Sequence, residues 1–241
     1  MPETSDGSGK SKGGIHNHPG FLSDFILGSQ DGLVNVLGIV LGVSAATADL
    51  RLIFVAALAA LGAESISMGA VAYTSTKARL RNYTNELRKE SAMAGKGGRN
   101  NLKEVESVLS KWGFSGSKLH STAEAISSNR NAMLEFMMAF KLKLAPLDKD
   151  APRRSFIVVL SSTIFGSVIP LLPYIFLFSG IYAKAVASVI ISGVFLFMIG
   201  VYEAKKTGGS MFKNGTEMLA IGLAAGLAGY LIGRAFGGVP A

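Results

Sequence analysis

Five long apolar segments constrain this 241-residue chain more than any other feature of its sequence. A run of about 20 apolar residues can cross the hydrocarbon core of a bilayer as an α-helix. Hydrophobic residues make up 49% of the chain and the mean hydropathy is +0.39, which is too apolar for an ordinary soluble domain. The sequence therefore predicts an all-α membrane protein with five transmembrane helices. The segments are Phe21–Ala46, Leu52–Thr74, Phe156–Phe178, Ile181–Val201 and Met218–Phe236.

A polar insert separates the second and third apolar segments. Helical periodicity within it predicts helices over Asn101–Trp112, Ser121–Ser127 and Asn131–Leu144, which we expect to form a small cytoplasmic bundle. The predicted organisation is a disordered cytoplasmic tail (residues 1–20), two spans (21–74), the bundle (75–154) and three further spans (155–241).

Basic residues set the predicted orientation. The insert carries 16 Lys and Arg residues, and the positive-inside rule places it in the cytoplasm. That orientation puts 21 of the 24 basic residues inside, together with the N-terminus, and leaves the C-terminus outside. The excess positive charge indicates topology and attraction to the lipid bilayer. Nucleic-acid binding is not predicted, because interleaved aromatic residues and known motifs are missing from the sequence.

Several classes of chemistry are excluded by residue content. The chain has no Cys, so disulfides and thiolate metal sites cannot form. Its three His residues all lie outside the apolar segments, which argues against a His-rich zinc site. Motifs of hydrolases, metalloproteases and nucleotide-binding enzymes are missing too, so we do not expect an enzyme.

Two carboxylates interrupt the apolar segments. At a rise of about 1.5 Å per residue, Asp31 lies about 15 Å into the first span and Glu64 about 18 Å into the second, antiparallel span. We therefore expect the two groups to face each other near the middle of a hydrocarbon core about 30 Å thick. A carboxylate there costs about 3 kcal/mol, which favours a functional role. The alternative is that Asp31 is protonated, or bonded to Gln30, Asn35 or the backbone, and serves only helix packing.

Neighbouring side chains on the same helical faces complete a predicted cation site. Asn35 follows Asp31 by one turn, and Met68 follows Glu64 by one turn. Carboxylates suit hard cations, and a thioether shifts the preference towards softer first-row metals such as Fe(II). The sequence thus predicts metal translocation by Asp31, Glu64, Met68 and Asn35, although Met68 alone is more typical of core packing.

Small residues on the first span predict close helix contacts. Gly28 and Gly32 are four residues apart, and so are Gly38 and Gly42, a spacing that lets a second helix approach closely. Gly38 and Gly42 also continue the helical stripe that begins at Asp31 and Asn35.

Four short motifs occur in order along the chain: SQDGLV, SISMG, LEFMMAFKLKL and IPLLPY. They resemble the vacuolar iron transporter family, and the resemblance extends from about Gly20 to the C-terminus. It implies a homodimer that exports cytosolic Fe(II), and often Mn(II), in exchange for protons. These ions would be transported substrates, with no permanently bound cofactor. Asp31 and Met68 match the family's translocation residues, whereas its second-span glutamate falls on Ala60, one turn before Glu64.

The resemblance also implies metal binding by the bundle. Glu90, Glu104 and Met137 match its metal-ligand positions, and Glu86 and Met138 are nearby candidates. Further glutamates of the family pattern are replaced here by Met93, Asn101 and Lys141. A protonated lysine cannot ligate a metal, but it could pair with a nearby glutamate. The alternative for the bundle glutamates is that they are solvated helix charges.

These observations favour a proton-coupled divalent metal transporter that moves Fe(II), Mn(II) or both out of the cytosol. The alternative is a non-transporting membrane scaffold or metal sensor built on the same fold. The expected location is the cell membrane of a prokaryote or the vacuolar membrane of a eukaryote.

Overall fold

The computed structural model describes residues 20–94 and 98–237, so the predicted N-terminal tail lies outside it except for Gly20. The described chain is helical, with no strand in those ranges. Five of its helical stretches are long and apolar enough to cross a membrane, which confirms the predicted all-α, five-span architecture. The helices are α1 (Phe21–Ala46), α2 (Leu50–Ala94), α3 (Gly98–Lys111), α4 (Gly116–Ser128), α5 (Arg130–Phe136), α6 (Ala151–Val168), α7 (Leu172–Phe176), α8 (Ile181–Thr207) and α9 (Met211–Phe236).

Four helices extend beyond the predicted apolar segments, among them α6, which begins at Ala151, and α8, which ends at Thr207. Helix α2 continues from the second span to Ala94, since the polar sequence after Thr74 still contains good helix formers. Helix α9 begins at Met211 rather than Met218, because the charges at its start can be solvated without breaking the helix.

The third span is interrupted at two prolines. A short 3₁₀ turn over Ile169–Leu171 separates α6 from α7, and it contains Pro170. Pro173 lies in the first turn of α7, where its missing N–H breaks no helical hydrogen bond. The α-helix of the third span is therefore interrupted at the IPLLPY motif.

The chain divides into two compact units, residues 1–73 with 153–241 and residues 74–152. In the first, membrane-spanning unit, α1 packs against α8 and α9. Its buried side chains Val36 and Val40 also pack with Ile53 and Ala57 of α2. Helix α1 thus contacts α2, α8 and α9, which explains why it is apolar on most of its faces.

One side of α1 lies close against the backbone and small side chains of α6. A Cβ added to Gly28 would lie 2.6 Å from the carbonyl oxygen of Val159, and one on Gly32 would lie 2.6 Å from Ser167 Oγ. Real Cβ atoms do not approach other atoms so closely, so only glycine fits at these two positions. The small side chains of Ser162 and Thr163 line the α6 side of the contact.

A second side of α1 lies against α9 in the same way. A Cβ on Gly42 would lie 2.9 Å from the carbonyl oxygen of Gly229, and one on Gly229 would lie 2.7 Å from the carbonyl carbon of Gly38. Gly233 approaches Gly42 equally closely. Glycines on both helices therefore bring the two backbones together.

The second unit contains α3, α4 and α5. Its core consists of Val105 and Leu109 from α3, Ala123 from α4, and Met133 and Phe136 from α5. The predicted helix over Asn131–Leu144 is shorter than expected: α5 ends at Phe136 and a π-helical turn follows over Met137–Lys141.

The contact between α1 and α9 predicts a strong effect of a single methyl group. We expect Gly229→Ala to lower the unfolding free energy by about 2 kcal/mol, or roughly 5 °C in melting temperature, because the backbones must separate. Gly62→Ala is the matched control, since nothing lies within 4 Å of a Cβ there. That variant should be as stable as the parent or slightly more so. Equal melting temperatures of the two variants in detergent would contradict the close contact.

An exposed ion pair on the second unit predicts a pH dependence. His120 Nδ1 lies 2.8 Å from Glu106 Oε1, and this hydrogen bond, with the glutamate charge, raises the pKa of His120 above its usual 6.5. The resulting stabilisation is complete below the unfolded pKa of about 6.5 and is lost as the pH rises through the higher folded value. In an NMR titration, Glu106→Gln should lower the His120 pKa, whereas Glu135→Gln should leave it unchanged. An unchanged pKa in Glu106→Gln would show that the pair does not form.

Candidate metal site

The middle of the first two spans carries a cluster of polar side chains. The Asn35 side-chain amide of α1 donates a hydrogen bond to Glu64 Oε1 of α2. The Asp31 carboxyl group, one turn before Asn35, also interacts with the Glu64 carboxyl group. The structure therefore brings together three of the four residues predicted to form the translocation site.

These polar groups are accessible rather than enclosed. Asp31 and Glu64 are half-buried and Asn35 is exposed, although Val36 and Leu37 beside them are fully buried. Helix geometry accounts for the difference, because positions one apart on a helix point about 100° away from each other. The cluster thus lies on a face of the membrane-spanning unit that is open to solvent, to lipid or to another chain.

The position of Met68 agrees only in part with its predicted role as a soft metal ligand. It lies one turn beyond Glu64 on α2 and is half-buried. Among the described residues, no group of three or more His, Asp or Glu side chains is arranged to hold a metal ion. Within the described chain, the cluster therefore consists of two carboxylates and the Asn35 amide, and Met68 lies one turn further along α2.

A groove extends from this cluster between α1 and α9. It has a volume of about 550 Å³ and begins at Asn35. Gly38 and Gly42 line its α1 side, while Gly229 and Phe236 line its α9 side. The predicted stripe from Asp31 to Gly42 is thus divided: its first half faces Glu64 and its second half borders the groove.

In the insert, two of the three predicted metal-binding glutamates lie next to a lysine. Lys141 Nζ lies 2.8 Å from Glu104 Oε1 and 4.0 Å from Glu90 Oε1. Glu90 is only 7% exposed, so its charge needs a nearby partner. The Lys141 ammonium group therefore lies where a bound metal ion would otherwise compensate these two carboxylates.

The other predicted residues of the insert lie elsewhere. Glu86 bonds to Lys89 at 2.7 Å on the same helix. Met137 and Met138 are buried, and Met137 belongs to the hydrophobic core of the bundle. The side chain of Met93 lies outside the described part of the chain.

Polar contacts near the ends of the spans were not anticipated from the sequence. Ser155 Oγ donates to Asp24 Oδ2 at 2.7 Å, and the hydroxyl groups of Ser44 and Tyr174 lie 2.7 Å apart. Lys184 is one of the three basic residues that the predicted orientation leaves outside. It is buried and donates a hydrogen bond to the Tyr174 carbonyl oxygen at 3.4 Å. The positions of Ser and Thr within apolar runs were the available signal, since such residues commonly bond across helices.

Comparison with known proteins agrees with this architecture. The sequence model of the VIT family matches residues 22–234. A protein named vacuolar iron transporter from Centaurea cyanus is 32% identical over 213 residues, which are 87% of this chain and 85% of that protein. Vacuolar iron transporter 2 of Oryza sativa subsp. japonica is 30% identical over 217 residues, covering 89% and 87% respectively. Protein CCC1 of Saccharomyces cerevisiae is 27% identical over 226 residues, covering 89% and 69%.

The family match covers all five spans and the insert, and several relatives are named vacuolar iron transporters. The resemblance inferred from the four short motifs is confirmed, and with it a multi-pass membrane protein of a metal-transporting family rather than an enzyme family. This chain belongs to the VIT family.

Proposed function

We propose that this protein exports Fe(II), Mn(II) or both from the cytosol in exchange for protons. The observation that carries the proposal is the cluster of Asp31, Asn35 and Glu64 in the middle of two apolar spans. The printed names of the relatives from Centaurea and Oryza support iron as a cargo.

The two carboxylates have no basic partner among residues 20–94 and 98–237. Among the described residues, neither Asp31 nor Glu64 forms a salt bridge, and the Glu64 hydrogen-bond donor, Asn35, is neutral. Two carboxylates close together at membrane depth repel each other when both are ionised. Binding of protons or of a metal ion relieves that repulsion. The cluster can therefore hold protons or a metal ion, but not a full set of both at once.

This competition would couple metal to protons. On the cytoplasmic side, ionised Asp31 and Glu64 bind the metal through their oxygens, and the Asn35 carbonyl oxygen and Met68 sulfur offer further donors. On the opposite side, protons bind the carboxylates and release the metal. The protonated pair is neutral, so its return across the hydrocarbon avoids the cost of moving two charges.

A homodimer would complete the site. One chain supplies two carboxylates, whereas a divalent cation with oxygen ligands usually binds about six donors, including water. The exposed face of the cluster and the groove between α1 and α9 would meet the same elements of a second copy across a two-fold axis. The basic insert and the N-terminus would lie in the cytoplasm and the C-terminus outside.

In the insert, we infer that Lys141 replaces a bound cation. Its ammonium group compensates Glu104 and the buried Glu90, so the bundle is held together without metal. The same observation favours the second candidate function, a membrane scaffold or metal sensor that does not transport, because it removes one set of metal ligands. Asp31 and Glu64 oppose that alternative, since a scaffold needs no carboxylates at membrane depth.

Transport into proteoliposomes tests the proposed metal site. With a proton gradient imposed across the membrane, we expect the parent to take up Fe(II) or Mn(II) in a panel that includes Zn(II) and Co(II). Asp31→Asn and Glu64→Gln should each reduce uptake by about tenfold or more, because a neutral amide cannot replace a charged ligand. Glu217→Gln, an exposed carboxylate of α9, is the matched control and should transport like the parent. Undiminished uptake by Asp31→Asn would rule out the mechanism, and no uptake by the parent would favour the scaffold.

The role of Lys141 predicts a stability change that does not involve transport. Lys141→Met should destabilise the insert by about 1–3 kcal/mol, because it leaves the Glu90 carboxylate buried without its partner. Adding Glu90→Gln should recover most of the loss. Trp112 is the only tryptophan and lies in the insert, so its fluorescence during denaturation of the full chain reports this unit.

Lys89→Met removes an exposed pair with Glu86 and should cost less than about 1 kcal/mol. A chelator should leave the parent denaturation curve unchanged. Equal effects of the two lysine substitutions, or a large chelator effect on the parent, would contradict the inferred role of Lys141.

A further inference from the structure

The insert contains a groove that is separate from the one between α1 and α9 and is not part of the candidate metal site. Its volume is about 600 Å³, within the range of ligand pockets, and it lies between α3 and the chain that follows α5. We call it the basic groove; it is lined by Lys103, Glu104, Ser107, Val108, Lys111, Trp112, Ala139, Phe140, Lys141 and Lys143.

The basic groove carries uncompensated positive charge. Four lysines line it and Glu104 is its one acidic residue, which is already bonded to Lys141. Within the described part of the chain, Lys103, Lys111 and Lys143 form no salt bridge, and all three are exposed. Three ammonium groups around one cavity favour a ligand with negative charge.

Aromatic rings stand exposed beside these charges. Trp112 is 50% exposed and Phe140 48%, and their ring centroids lie 4.7 Å apart in an edge-to-face arrangement. Phe114, two residues after Trp112, is 41% exposed. Exposed aromatic rings next to ammonium groups are typical of surfaces that lie at a membrane interface.

The backbone is irregular where these side chains converge. The π-helical turn over Met137–Lys141 changes the register after α5 and brings Phe140 and Lys141 to the same groove. Lys143 has a φ of 53°, a conformation that a lysine seldom adopts. π-Helical turns and such backbone conformations are found preferentially at functional sites.

We propose that the basic groove binds the phosphate-bearing headgroup of an anionic membrane lipid. The lysines pair with the phosphate and any further headgroup charge, while Trp112 and Phe140 enter the interfacial region beside it. A soluble phosphate compound would satisfy the lysines but leave the rings in water, so the rings favour a lipid. The insert is joined at both ends to membrane-spanning helices, which keeps the local lipid concentration high.

The fluorescence of Trp112 tests this proposal, because Trp112 is the only tryptophan of the chain. The full-length protein is reconstituted in nanodiscs that contain brominated phosphatidylserine or brominated phosphatidylcholine. We expect quenching of Trp112 by brominated phosphatidylserine to exceed that by brominated phosphatidylcholine by about threefold. The triple variant Lys103→Gln, Lys111→Gln, Lys143→Gln should lose the difference while keeping the parent melting temperature.

The matched control removes the same charge from elsewhere on the insert, as Lys89→Gln, Lys118→Gln, Lys149→Gln, and should retain the difference. Equal quenching by both lipids in the parent, or equal losses in the two triple variants, would overturn the proposal. A Trp112 response to inorganic phosphate in phosphatidylcholine nanodiscs, without a phosphatidylserine effect, would overturn it in favour of a soluble ligand.

Discussion

Close backbone contact on two sides of α1 is the constraint on which the rest of the membrane-spanning unit depends. Gly28 and Gly32 leave room only for the backbone and small side chains of α6, and Gly42 leaves room only for the backbone of α9. Contacts of this kind provide dispersion energy between helices in a solvent where apolar burial alone provides little. With α1 fixed on these sides, its polar positions Asp31 and Asn35 meet Glu64 of α2.

The two units differ in whether their clustered acidic groups have a counter-ion. In the insert, the buried Glu90 and its neighbour Glu104 have an internal counter-ion in Lys141. In the membrane-spanning unit, the described residues provide no counter-ion for Asp31 and Glu64, although the surrounding hydrocarbon makes the need greater. A charge that is compensated permanently stabilises a fold, whereas one left uncompensated suits a mobile cation. We therefore propose that transport depends on the spans, and that the group formed by Glu90, Glu104 and Lys141 stabilises the insert.

Much of the architecture follows from the sequence because membrane spans obey a simple length rule. The segment Phe21–Ala46 coincides with α1, and Pro170 and Pro173 mark the interruption of the α-helix in the third span. The similar membrane depths of Asp31 and Glu64 also predicted that Glu64 lies next to α1, because the rise per residue of a helix is regular. Side-chain pairing was harder: periodicity could not show that the Glu64 hydrogen bond comes from Asn35, nor that Lys184 is buried, because both depend on how neighbouring helices rotate. The π-helical turn after Phe136 was missed because its sequence continues a helical pattern without a breaker.

We propose that Asp31 and Glu64 hold either a metal ion or protons, so that movement of one drives the other. The most direct measurement follows the pH inside proteoliposomes with an enclosed dye while Fe(II) or Mn(II) is added to the side that carries the insert. We expect the lumen to become more alkaline as metal enters, at a rate that follows metal uptake and vanishes without metal. Metal accumulation with no change in luminal pH would contradict it.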